Sequence, residues 1–173
     1  MKAHHFTSLI IVAVAMYTPA QSTNQPSSNY RYQLPLQLAL DASLEAIRVC
    51  TANGYQVTAT VVDMDGIAQV ELRGDNATVH TQESSYEKAY GVVTLGPMFH
   101  FDTSGKFFEL TKTNPYAPRL ATVSHVMALP GAVAFMKDGK IVAALGVGGA
   151  PGGDKDEVCA QAGVRKVADQ LSR

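Results

Sequence analysis

Three histidines lie beyond the amino-terminal segment: His80, His100 and His125. An imidazole can ligate a metal or carry a proton near neutral pH. His100 and His125 share a stretch with Met98, Phe99, Phe101, Phe107, Phe108, Tyr116 and Met127, an apolar and aromatic setting for a polar ring. A histidine in such a setting is more often hydrogen-bonded or at the surface than a ligand, and no His-x-x-His pairing strengthens the metal reading. Lys88 and Tyr90 sit two residues apart in a helical pattern and are candidate acid–base groups. The competing expectation for Lys88 is a surface lysine whose stem lies along apolar neighbours. Asp63, Asp65 and Asp75 lack the spacing of a calcium loop, and Asp65-Gly66 is explained by turn conformation. The run Gly146 to Asp154 is rich in glycine, as anion-binding loops are. It lacks the Gly-Lys-Ser/Thr ending of a P-loop, which favours a tight strand-to-helix turn with an aspartate cap. No Gly-x-Ser-x-Gly nucleophile motif is present.

The elements that must carry these residues follow from periodicity. Leu34-Pro35 opens a helix in which Leu38, Ala42, Ala46, Val49 and Cys50 recur at three- and four-residue spacing, and Gly54 ends it. Residues 56–63 and 67–72 form a hairpin around Asp65-Gly66, and residues 78–93 read as a second helix. Residues 94–130 are irregular, punctuated by Gly96-Pro97, Asn114-Pro115 and Pro118, with short helical turns near 104–112 and 116–123. A second hairpin spans 132–136 and 140–147 around Asp138-Gly139. A last helix follows, with Val158, Cys159, Ala162, Val167 and Leu171 on its buried stripe. The order α-ββ-α-irregular-ββ-α predicts an α+β fold: one antiparallel sheet built from two hairpins and flanked by helices.

The chain has 173 residues, enough for one domain, with 14 basic and 15 acidic side chains and a net charge of -1. That balance supplies no electrostatic footprint for nucleic acid, so no nucleic-acid partner is expected. Residues 1–20 have the layout of a secretory signal peptide: Lys2, an apolar run from Phe6 to Tyr17, then Ala20. Residues 21–34 are polar and read as a flexible leader, leaving 35–173 as the single domain. Export implies a periplasmic or secreted protein, where Cys50 and Cys159 can bridge. In the expected layout the first and last helices lie side by side, which pairs Cys50 with Cys159; the alternative is two small buried hydrophobes.

The motifs resemble a known family. Val61-Val62-Asp63-Met64-Asp65-Gly66, Arg73-Gly74-Asp75-Asn76-Ala77 and Glu87-Lys88-Ala89-Tyr90 are similar, in order and spacing, to motifs of GlcG/HbpS-like proteins. The closing hairpin, Gly148-Gly149, Asp154 and Cys159-Ala160-Gln161-Ala162-Gly163 continue the match. The chain departs from the pattern at Leu129-Pro130-Gly131-Ala132, a loop expected to border the pocket. The resemblance implies a homo-oligomer that binds haem or a similar planar ligand for uptake, sensing or breakdown. It leaves open an enzyme using Lys88, Tyr90 or His125, and an accessory protein docking a membrane sensor partner. For haem iron the expected axial ligands are His100, then His125, then His80. Lys106, Lys112 and Arg119 are expected to meet the propionates. The absence of Cys-x-x-Cys-His argues against covalent attachment.

Overall fold

The structure is a computed structural model and describes residues 32–171; the expected signal peptide and most of the leader lie outside the described residues. Five helices and four strands alternate as α1 (Leu36–Ala52), β1 (Thr58–Asp63), β2 (Ala68–Arg73), α2 (His80–Phe99), α3 (Ser104–Thr113), α4 (Ala117–Leu120), β3 (Ala132–Lys137), β4 (Lys140–Gly148) and α5 (Gly153–Leu171). The two predicted hairpins form one antiparallel sheet, and the pairing of β1 with β4 joins them in the order β2-β1-β4-β3. The central strands are covered on both faces, so β1 and β4 are almost wholly buried while edge strand β2 is mostly exposed.

Alternation along the strands divides the core in two. Ala59, Val61, Phe135, Leu145 and Val147 pack against α1 and α5. Val62, Ala132, Ala134 and Ala144 pack against α2 and α3, with Ala89, Val92, Val93 and the stacked rings of Phe101 and Phe107. Helix α2 comes unusually close to β4, because a Cβ at Gly146 would lie 2.0 Å from the Ser85 carbonyl oxygen. Buried hydroxyl pairs, Thr58 with Thr81 and Thr60 with Ser85, each at 2.7 Å, satisfy the polar groups along the same contact.

Several expectations need correction. Tyr32 and Leu34, read as leader, belong to the fold: Leu34 is buried and its carbonyl accepts from the Gln69 side chain. Helix α2 runs six residues past Val93 and contains Pro97, because a proline in the final turn removes a single backbone donor and leaves the preceding turns intact. In the segment after it, α3 and α4 stand where short helical turns were expected. On α5 the buried stripe is Cys159, Ala160, Gly163, Val167 and Leu171, and Val158 is exposed. Helices α1 and α5 lie together, and Cys50 and Cys159 are joined by a disulfide with Cα atoms 5.6 Å apart.

Candidate functional site

Two register shifts interrupt the sheet, between Val61 and Val62 and between Phe135 and Met136. Both fall at the end where β1 and β3 finish and β4 begins. Breaks of this kind re-aim side chains and recur beside functional sites. At that end a cavity of about 480 Å³ opens between the sheet and the carboxyl end of α2, lined by Met64, Pro97, His100, Phe101, Met136, Lys140 and Ile141 among others. The volume suits a small molecule or cofactor, for which about 300–1,000 Å³ is usual.

Each wall has a local cause. Gly96 lets Ile141 approach α2, because a Cβ there would meet Ile141 Cδ1 at 2.9 Å and the Phe101 carbonyl oxygen at 2.5 Å. His100 caps α2 in the left-handed conformation, with φ 58°. Glycine commonly takes that position. The imidazole is exposed and lines the cavity. Met64 stands in the β1–β2 turn, where its side chain packs on the α2-side core. Lys140 opens β4 at the cavity wall, and among the described residues no carboxylate pairs with it.

The other expected ligands stand elsewhere. His125, also left-handed at φ 65°, is exposed and sets its ring edge-on to Tyr86 and Tyr90, with centroids 5.9 and 5.8 Å away. The Tyr86 hydroxyl donates to the Gly66 carbonyl at 2.8 Å. Burial, then Tyr90 and Asp63, hold that phenol above its ordinary pKa, which disfavours a phenolate. Burial and the Glu83 charge likewise raise the Glu87 carboxyl, against the opposing pull of His125. His80 is the first residue of α2 and shares a hydrogen bond with Thr78. The structure thus brings His100 alone of the three into this cavity.

Lys88 is not a surface lysine. It is 3% exposed, and its ammonium donates to Asp156 Oδ2 at 2.7 Å and to the Val147 carbonyl at 3.1 Å. The other Asp156 oxygen accepts from the Ala150 amide at 2.9 Å. The glycine-rich turn therefore wraps a carboxylate of its own chain. Burial holds Asp156 above the ordinary carboxylate range, with Lys88 and the turn amides opposing. This arrangement ties α2, β4 and α5 together.

None of the cations expected to meet propionates, Lys106, Lys112 and Arg119, lines this cavity. Lys106 pairs with Asp102 and Lys112 with Glu109, so both charges are already met. Lys140, which does line the cavity, was not a sequence candidate because it reads simply as the residue after a hairpin turn. Phe101 and Phe107 are core residues, 4% and 1% exposed, and of the segment's phenylalanine and tyrosine rings only Phe101 lines this cavity. The loop from Leu129 to Ala132 does not line it either; Gly131 there donates to Glu157 Oε2.

The chain matches the family model described as haem degrading protein HbpS-like over residues 34–165. Among solved structures, the crystal structure of HbpS is 29% identical, with a TM-score of 0.71 over 80% of this chain and 93% of that one. A double mutant of Streptomyces reticuli HbpS is 27% identical, with a TM-score of 0.71 over 95% of this chain and 100% of that one. A PduOC:haem complex has the same fold at 18% identity, with a TM-score of 0.67 over 78% of this chain and 95% of that one. No curated protein matches the chain.

Proposed function

This chain belongs to the HbpS-like family of haem-degrading proteins, and from that premise we propose that it binds haem in the cavity beside His100. The observation that carries the reading is the convergence of one exposed imidazole, two thioethers and an apolar wall on a single cavity of about 480 Å³. The donor set fits the group: His100 would ligate the iron, Ile141, Pro97 and Phe101 would face the porphyrin, and Lys140 would neutralise a propionate. When bound, haem supplies a redox-active iron. The chain's own part is to hold that iron through His100 and to limit water with apolar walls.

Export belongs to the same reading, and the buried Cys50–Cys159 disulfide together with the amino-terminal pattern supports an oxidising compartment. Exposed Leu36 and Leu44 on α1 and Val158 on α5 support self-association. Delivery to a membrane sensor partner is compatible with such a surface. Family membership favours breakdown of the bound haem as a second reading.

Titration of the purified chain with haemin tests the binding. A saturable, shifted Soret band is expected; His100→Ala weakens it at least tenfold, whereas His80→Ala and His125→Ala leave it unchanged. A band that never saturates, or one indifferent to His100, defeats the proposal. Stepwise loss of the band with reductant and oxygen, accompanied by an open-chain tetrapyrrole product, would establish the breakdown reading.

A further inference from the structure

The haem reading accounts for His100 and leaves Met136 unexplained. Met136 is 42% exposed, and it stands where the β3–β4 register breaks. Alternation along β3 puts Ala132 and Ala134 on the α2 side and Phe135 on the other, so Met136 returns to the side where the cavity opens. His100 enters the same cavity from the end of α2, and Met136 enters it from the sheet. Met64 lines it too, but its side chain is packed into the α2-side core and helps form the wall. Met136 therefore has the freer thioether. A flexible, unbranched side chain can adjust its sulfur to a ligand, and histidine with methionine is a known axial pair for haem iron.

We propose that the Met136 thioether would hold the bound iron together with His100; this rests on the haem reading above. The pair would fill both axial positions. A thioether favours the reduced iron and raises its potential. With both residues holding the iron, no position would be left for oxygen, so breakdown would require Met136 to leave first. The Asp138-Gly139 turn beside it is exposed, so the thioether can leave without disturbing the core.

The test uses the full chain loaded with ferric haem and reads its far-red absorption, where thioether-to-iron charge transfer gives a weak band. Wild type should show the band. Met136→Leu should lose it, keep a saturable Soret band and have a lower reduction potential. Met64→Leu should keep the band, and far-ultraviolet circular dichroism should show both variants folded. A band that survives in Met136→Leu, or is missing from wild type holding haem through His100, overturns the proposal and leaves the haem reading intact. If no saturable Soret band forms in wild type, both fail together.

Discussion

His100 stands in a backbone conformation that glycine adopts at lower cost, at the end of α2 and beside a cavity. His100→Gly should therefore raise stability by about 0.5–1 kcal/mol, the left-handed penalty less the larger chain entropy of glycine. The same change should abolish haemin binding, and urea unfolding set beside a Soret titration checks both outcomes. Of the three expected ligands, taken in the order His100, His125 and His80, only His100 lines the cavity. The sequence could not show that Phe101 and Phe107 would stack inside the core, because a phenylalanine reads the same in a pocket wall and in a filled interior.

At the level of elements, the tie between α2 and α5 rests on a buried ion pair, Lys88 with Asp156. Removing one partner strands a buried charge, so Lys88→Met should cost about 3–5 kcal/mol, while Lys88→Met with Asp156→Leu should recover most of it. Burial raises the folded pKa of Asp156. The folded chain then holds that proton more tightly than the unfolded one. The group's contribution is fully present below the ordinary carboxylate range and is lost as pH rises through the raised folded value. The difference in urea midpoint between wild type and Asp156→Asn should follow this slope across that range, since Glu87 and the other carboxyls titrate in both. Hairpins and helices were legible because turn residues and periodicity act over a few neighbours: Asp65-Gly66, Asp138-Gly139 and the α1 stripe all appear where expected. The fate of Lys88 was not legible, since its partner lies 68 residues away and joins it only through packing.

Across the whole molecule, the Cys50–Cys159 disulfide closes most of the described chain, with a sequence separation of 109. Constraint of a loop that size is worth about 4–5 kcal/mol in the chain-entropy model. Cys50→Ala with Cys159→Ala should lower stability by about 2–5 kcal/mol in urea unfolding. Reductant should lower wild type toward the double variant and leave the latter unmoved. Fold class, strand pairing and family were readable from the chain alone, because they follow from short-range pattern and from motifs in a given order. The cavity and the Lys88–Asp156 tie were settled by the folded arrangement. They join residues from separate elements, and neither spacing nor composition says which side chains will share one volume once the layers close.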